Sequence, residues 1–306
     1  MNKKPMKTSE VITKNRLVKD LRNLGIKEDN LLNIKASLKS IGYIEGGANT
    51  LIEALLEVVG EKGTIVTDSF VTSYPLSVIK RNKKIISDKD TPSYAGAIAN
   101  AMIKHPMSFR SSHPIQKFSA IGKNAEELMN NHTPESYAYD VLRVLIENGG
   151  KNLKLGTDEK VYGVGTTHVA IGKLKLKQKR GAVGINYYDN SGEIKTFKLN
   201  WAGGGHGFNN FFPLYREAGA ILNEGYVGYA PSKITDMKMT FDVEIDELKK
   251  NPKIQLCSAK DCVDCGLSWD FSEYNFARFV LVNSMKLTPR MLLKAYMTTY
   301  LYKYLG

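Results

Sequence analysis

The sequence has no long apolar run and few cysteines, and each scarcity excludes a class of protein. No stretch of its 306 residues approaches the roughly 18 consecutive apolar residues of a membrane-spanning helix, so no transmembrane segment is expected. The N-terminal residues are basic, but no apolar core follows them, so no secretory signal is expected either. Three cysteines, an odd number, argue against a disulfide framework and favour a reducing compartment. We therefore expect a cytoplasmic protein.

The sequence also lacks a nucleic-acid-binding signature, although its formal net charge is +12. The basic clusters at residues 80–84 and 173–180 contain no aromatic side chain on which a base could stack. No RNA-binding or helix-turn-helix motif accompanies them. The glycine-rich residues 201–208 do not have the spacing of a Walker or Rossmann loop. The excess charge therefore favours a solvated lysine-rich surface and a small polyanionic ligand, and we expect no nucleic-acid partner.

Hydrophobic periodicity predicts helices that alternate with single short strands. Buried stripes predict helices at residues 8–24, after Gly46-Gly47, at 94–104 and at 141–147. Apolar runs predict strands at residues 31–34, 63–66 and 153–155, and an antiparallel pair at 183–188 and 194–199. This alternation predicts an α/β fold, layered α/β/α, with a mixed, partly parallel sheet.

Three blocks carry side chains suited to chemistry. The first is a strand end followed by a loop and the Gly46-Gly47 helix start, where free backbone N–H groups attract anions. The second contains Arg110 and Ser111, whose guanidinium and hydroxyl suit a phosphate. The third ends in His168, whose imidazole can take a proton near neutral pH. Taken singly, each block has a structural alternative: a turn, a backbone-bonded His113 beside Ser111, and a core histidine.

In this order the blocks resemble the aminoglycoside 3-N-acetyltransferase family, over about residues 8–235. That family transfers an acetyl group from acetyl-coenzyme A to an amine of an amino sugar, and its fold is not the GNAT fold. The resemblance implies that His168 is the general base. It implies coenzyme A contacts at Lys35, Ala36, Ser37, Leu38, Gly46, Gly47, Arg110 and Ser111. It also suggests acceptor contacts at Asp68, His113 and His206.

The chain departs from the family pattern at four positions. Lys35 stands where the family has a histidine at the end of the first strand, and Asp68 stands where the family has a proline after the second strand. Gln116 stands where the family has a second histidine in the Arg110 block, and Ile171 stands where the family has a glutamate after the catalytic histidine. These departures suggest divergence within the family, so the expected acceptor is an amino sugar that is either aminoglycoside-like or a precursor of a cell-surface polysaccharide.

The missing glutamate leaves the acid that would orient His168 unassigned. Candidates are Asp158 and Glu159 in the preceding loop, and Asp140. With such an acid, we expect direct acyl transfer, because no cysteine falls in the three blocks to form an acyl-enzyme. Without one, the alternative is a catalytically inactive binding or interaction protein on the same scaffold.

The cysteines lie together at positions 257, 262 and 265. Cys262 and Cys265 have the Cys-x-x-Cys spacing that lets two thiolates share a zinc ion, with Cys257 as a third ligand. His206 or Asp264 would supply the fourth ligand. A redox pair and three inert thiols are the alternatives.

We expect two parts in the chain. Residues 1–250 would form the acyltransferase domain, and residues 251–306 a C-terminal extension with the cysteines and a terminal helix. Thr288 and Pro289 suit the start of that helix. It would pack on its own domain or on the partner of a homodimer.

Overall fold

The computed structural model describes residues 10–157, 163–176, 183–199 and 206–258, with Cys262, Cys265 and Trp269. The helices are α1 (Lys14–Asn23), α2 (Leu38–Ile41), α3 (Gly47–Val59), α4 (Leu76–Arg81), α5 (Ala97–Lys104), α6 (Ala125–Asn130), α7 (Asp140–Glu147), α8 (Thr166–Lys173), α9 (Phe212–Glu217) and α10 (Met237–Lys250). Two 3-10 turns cover Phe208–Phe211 and Pro252–Gln255. Asp158, Glu159, Asp264 and the terminal helix lie outside the described residues.

The strands form two sheets. They are β1 (Leu31–Ala36), β2 (Thr64–Asp68), β3 (Tyr74–Pro75), β4 (Ile86–Ser87), β5 (Phe109–Arg110), β6 (Phe118–Gly122), β7 (Lys151–Leu155), β8 (Val183–Tyr188), β9 (Ile194–Lys198), β10 (Ile221–Val227) and β11 (Ala230–Asp236). The larger sheet has the order β10-β11-β7-β1-β2-β6-β5. β1 pairs in parallel with β2 and with β7, and the remaining pairings are antiparallel. The predicted mixed, partly parallel sheet is confirmed.

Helices cover both faces of the larger sheet. Adjacent residues of β2 show the alternation, because Ile65 belongs to one buried cluster and Val66 to the other. The first cluster packs β1 and β2 against α1, α3 and α5. The second packs the opposite face against α7, α8 and α10. This arrangement is the predicted α/β/α layering.

The smaller sheet is built around β8. It pairs with β9 in the predicted antiparallel hairpin, and also with β3 and β4. The hairpin turn is closed by Asp189, whose carboxylate accepts hydrogen bonds from the backbone N–H groups of Ser191 and Glu193. Such local carboxylate bonding is typical of a tight polar turn.

Two helices begin later than the periodicity predicts. α1 begins at Lys14 rather than at residue 8, because Thr13 caps it by accepting a hydrogen bond from the N–H of Arg16. Ile12, just before it, bridges to Ile44 in extended conformation. α5 begins at Ala97 rather than at residue 94, because Gly96 at its N-cap has φ and ψ angles of 111° and −167°, which lie outside the helical region.

The chain beyond α10 contacts the second buried cluster. Trp269 has no exposed surface and belongs to that cluster. Division of the chain at residue 250 stays a prediction. Among the described residues, no helix is long and apolar enough to cross a bilayer.

Candidate active site

His168 lies in the first turn of α8, with its ring between aromatic side chains. The ring is stacked on Tyr139 with a centroid distance of 4.1 Å and an interplanar angle of 5°. Phe208 meets it edge-on at 5.0 Å. The residue as a whole is partly exposed, but Nδ1 of its ring has almost no exposed surface, and Thr167 and Val169 on either side are buried. The two aromatic rings therefore fix the orientation of the imidazole.

An ion pair stands at the carboxyl ends of the two neighbouring parallel strands. Lys35 is the last but one residue of β1, and its Nζ lies 3.2 Å from Oδ2 of Asp68, the last residue of β2. Burial lowers the pKa of His168 to about 3, and the positive charge of Lys35 lowers it further in the same direction. His168 is therefore neutral at physiological pH and able to accept a proton.

One carboxylate oxygen of Asp68 is available to bind a ligand. The residue is 8% exposed, and within the described chain its Oδ1 has no hydrogen-bond partner. A buried carboxylate oxygen without a partner is costly. An ammonium or hydroxyl of a ligand would therefore be stabilised at this point.

A buried carboxyl group holds the start of α8. Glu244 of α10 has no exposed surface, and its Oε1 accepts hydrogen bonds from Thr166 (3.0 Å) and Thr167 (2.6 Å). The hydroxyl of Tyr215 donates a short hydrogen bond to the same oxygen. Burial raises the pKa of Glu244 to about 8. The carboxyl group therefore fixes the two residues that precede His168.

Sequence reasoning missed Glu244, although a signal was present. The buried face of α10 is formed by Met237, Thr240, Glu244 and Leu248, at helical spacing. A carboxylate in a buried stripe requires hydrogen-bond donors from elsewhere in the fold. At the position of the family's glutamate, Ile171 is fully buried in the apolar cluster.

The predicted coenzyme A loop joins β1 to α3. Lys35, Ala36, Ser37 and Leu38 are all partly exposed. Gly46 and Gly47 have φ angles of 75° and 66°, a backbone region that favours glycine. No atom lies within 4 Å of the place where a Cβ of Gly47 would stand, so a ligand can approach this backbone closely.

Arg110 is bonded to the protein itself. Its guanidinium donates to the carbonyl oxygens of Ser69 (2.7 Å), Lys89 (2.9 Å) and Thr91 (2.6 Å). Ser111 is 1% exposed, and its hydroxyl accepts the N–H of Phe118 at 3.0 Å. Both side chains thus hold the loop around residue 90 and the start of β6. Their contacts with coenzyme A stay predictions.

Lys117, which sequence reasoning did not single out, lies beside this group. It is 3% exposed, and its Nζ donates to the carbonyl oxygen of Ser111 at 3.2 Å. Burial lowers its pKa to about 7, with a smaller contribution from the positive charge of Arg110. The lysine therefore exchanges protons near neutral pH.

His113 is a core residue. It is 1% exposed, and its Nδ1 accepts hydrogen bonds from the N–H groups of Ile115 and Gln116. Its ring is stacked on His132, 4.9 Å between centroids. Burial lowers its pKa to about 2, with a further contribution from His132. These contacts match the structural alternative, and a role in acceptor binding stays a prediction.

Two other predicted residues have partners of their own. Asp140 begins α7, and its carboxylate accepts hydrogen bonds from the N–H of Tyr137 and from Arg143. His206 is exposed, and its Nδ1 lies 3.2 Å from Sγ of Cys262. The structure therefore groups His206 with the cysteines.

A separate cleft lies against the face of the sheet that carries the second buried cluster. It has a volume of about 360 Å³ and lies between α6 and α7, where it is lined by Leu31, His132 and Asp140 among others. Leu31 begins β1, whereas Lys35 and His168 belong to the carboxyl-end side. Ligands of open α/β sheets bind outside the carboxyl ends of the strands, so the His168 edge is the better candidate.

One protein family matches the part of the chain that contains the three sequence blocks. A family model described as aminoglycoside 3-N-acetyltransferase matches residues 34–249. The chain belongs to this family. Aminoglycoside N(3)-acetyltransferase IX of Micromonospora chalcea is 31% identical over 160 residues, which cover 47% of this chain and 57% of the relative. The chain thus spans about half the length of the curated relatives it matches.

Solved structures of the family share the fold. A structure named as AAC-IIIb binary with CoASH has a TM-score of 0.69 at 22% identity, covering 79% of this chain and 97% of that one. A structure named as AAC-VIa bound to sisomicin has a TM-score of 0.66 at 24% identity, covering 79% and 98%. At these identities the likeness establishes the fold.

The raised pKa of Glu244 predicts a pH-dependent stability. Between its ordinary pKa of 4.5 and about 8, the folded state holds a proton that the unfolded state has lost. Folding stability should therefore fall as pH rises through this window, by up to about 1.4 kcal/mol per pH unit. Glu244→Gln should remove this slope, because the amide keeps an acceptor for Thr166 and Thr167 but does not titrate.

Urea unfolding at several pH values between 5 and 8 measures the slope. Glu247→Gln is the matched control, because Glu247 is on the same helix and pairs with Lys250 at the surface. An identical slope in the wild type and in Glu244→Gln would show that the carboxyl group does not hold a proton in the folded state.

The electrostatic coupling of Lys35 to His168 predicts a second pH effect. Lys35→Met removes a positive charge that lowers the pKa of His168, and it leaves the negative Asp68 nearby. The pKa of His168 should rise above about 3 but stay below 6.5, because burial is the larger cause. Lys35→Arg keeps the charge and should change it little.

Histidine-labelled protein followed by NMR gives the pKa directly. The resonance of His168 is assigned by its absence from the spectrum of His168→Ala. An unchanged His168 pKa in Lys35→Met would mean that the two side chains do not interact.

Proposed function

We propose that the chain is an acyl-coenzyme A-dependent N-acetyltransferase that acts on an amine of an amino sugar. The observation that carries the proposal is the family match over residues 34–249, which includes a neutral His168 held between two aromatic rings. Relatives are named as aminoglycoside acetyltransferases, and one structure is named as a complex with CoASH. The donor is acetyl-coenzyme A.

His168 acts as the general base. The amine nitrogen attacks the thioester carbonyl carbon, and a C–N bond forms as the carbonyl π bond opens to an oxyanion. The imidazole takes the proton that the nitrogen loses. The oxyanion then collapses, the C–S bond breaks, and the coenzyme A thiolate leaves and accepts a proton. The low pKa of His168 keeps the imidazole unprotonated before the attack, and the proton that it takes from the nitrogen then passes to the leaving thiolate.

The loop between β1 and α3 holds coenzyme A. Gly47 begins a helix of 13 residues, whose first N–H groups and dipole favour a phosphate. Open space at Gly47 allows a close approach. The net charge of +12 favours this anionic cofactor at longer range.

The acceptor is an amino sugar whose amine reaches the edge between Asp68 and His168. The unpartnered Oδ1 of Asp68 suits a neighbouring ammonium or hydroxyl. The net charge of +12 disfavours a polycation. An aminoglycoside is the acceptor that the names of the relatives support, and an amino sugar with few positive charges, such as a precursor of a cell-surface polysaccharide, is the alternative that the net charge favours.

A direct assay tests the function. The purified chain is incubated with acetyl-coenzyme A and with either glucosamine-type amino sugars or sisomicin, and the acceptor is analysed by mass spectrometry. We expect a mass increase of one acetyl group in sisomicin or in an amino sugar of low charge. Mass detection avoids a thiol reagent, whose signal from released coenzyme A would have to be separated from any signal of the three cysteines.

The assay also decides between the two classes of function. Binding of acetyl-coenzyme A with no acetylated acceptor from either panel would favour the inactive binding protein on the same scaffold. Calorimetry showing no binding of acetyl-coenzyme A at all would reject the proposed donor.

Removal of the imidazole should slow transfer and spare cofactor binding. His168→Ala should lower kcat by about 10²- to 10⁴-fold, because a general base acts in the transition state. The Kd for coenzyme A should change little. His105→Ala is the control, because His105 is a partly exposed histidine paired with Glu53. A kcat within a factor of about three of the wild type would assign the proton transfer to another group.

A further inference from the structure

We propose that His206, Cys257, Cys262 and Cys265 bind one structural zinc ion. Their donor atoms, one imidazole nitrogen and three sulfurs, all lie within 4.8 Å of one another. Nδ1 of His206 and Sγ of Cys262 lie 3.2 Å apart. The evidence for the metal is the geometry of these four side chains and not the proposed transferase activity, and its test does not measure that activity.

The spacing of the donors fits a tetrahedral ion. With zinc–sulfur distances of about 2.3 Å, neighbouring ligands of a tetrahedral zinc are about 3.8 Å apart. Because the four donor atoms already lie within 4.8 Å of one another, only small side-chain movements are needed for all of them to bind one metal ion. Three thiolates and one imidazole are soft donors that select zinc over magnesium or calcium. Four protein ligands leave no open position, so the ion is structural.

Backbone N–H groups are directed at the sulfurs. Those of His206 and Cys257 donate to Sγ of Cys265 at 3.1 and 3.4 Å. The N–H of Cys265 itself donates to Sγ of Cys262 at 3.4 Å. Such donors offset part of the negative charge that three thiolates bring to one ion, and outer-shell bonds of this kind hold metal ligands in place.

The ion would join two segments that are distant in sequence. Gly207 donates its N–H to the carbonyl of Gln255 (2.9 Å), and the side chain of Asn210 donates to the carbonyl of Ile254 (2.7 Å). These bonds already hold the turn after His206 against the segment before Cys257. The metal completes this junction.

The junction bears on the candidate active site through Phe208. This residue lies two positions after His206 and meets the ring of His168 edge-on at 5.0 Å. Its backbone also fits closely around Gly163, where no Cβ could be accommodated. The zinc ion therefore holds one of the two aromatic rings that orient the proposed base.

Metal analysis of the full-length protein tests the site. Protein purified without chelator should contain about one zinc per chain by elemental analysis, and native mass spectrometry should show the ion bound. Substitution by Co²⁺ should give the visible absorption of tetrahedral thiolate coordination. Loss of an outer-shell partner typically weakens metal affinity by about 10- to 100-fold. Cys262→Ser and His206→Ala each remove a direct ligand and should weaken zinc affinity by more than that.

Controls keep the result decisive. His105→Ala removes a histidine outside the cluster and should retain the zinc. If Cys262→Ser does not fold, thiol titration of the folded wild type replaces it: three thiols should be protected until a chelator is added. Absence of zinc after reconstitution, with all thiols titrating freely or with Cys262 and Cys265 joined as a disulfide, would overturn the site.

Discussion

The parallel pairing of β1 with both β2 and β7 is the constraint on which the candidate site depends. Its register sets Ile34 opposite Thr67 on one side and Ala36 opposite Leu155 on the other. The three strands therefore end at the same edge of the sheet. Lys35 and Asp68 meet there as an ion pair, and the connection after β7 leads to α8 and His168. Residues far apart in sequence thus share one local environment.

Two further contacts convert this edge into an oriented site. Glu244 holds the first turn of α8 from one side through Thr166 and Thr167. Tyr139 and Phe208 enclose the imidazole from the other. A buried carboxyl group is costly unless it is bonded or protonated, and its raised pKa reflects this cost. This cost is incurred beside His168, because the carboxyl group holds the two residues that precede the histidine.

Much of the architecture follows from local patterns. The alternation of apolar stripes and short apolar runs predicted the layered α/β fold, and the turn at residues 189–192 predicted the β8–β9 hairpin. Helix starts were less predictable, because the cap at Thr13 and the non-helical backbone of Gly96 override the periodicity. His168 could be named because its motif is contiguous in the chain.

The surroundings of His168 could not be predicted, because they come from distant segments. Tyr139, Phe208 and Glu244 lie on three different elements, and none has a sequence motif that joins it to α8. Arg110 shows the reverse problem. A motif suggested a phosphate contact, whereas its donors are bonded to three backbone carbonyls that only the folded chain brings together. His206 likewise lies beside the cysteines only because the fold brings two distant segments together.

The central claim is that the carboxyl-end edge beside His168 is where the thioester reacts. A crystal structure of the chain with coenzyme A tests it most directly. The account predicts the cofactor sulfur beside the imidazole, with its diphosphate at Gly47 and room for an acceptor amine about 3–3.5 Å from the reacting carbon. Coenzyme A bound instead in the cleft between α6 and α7, away from Gly47, would contradict it.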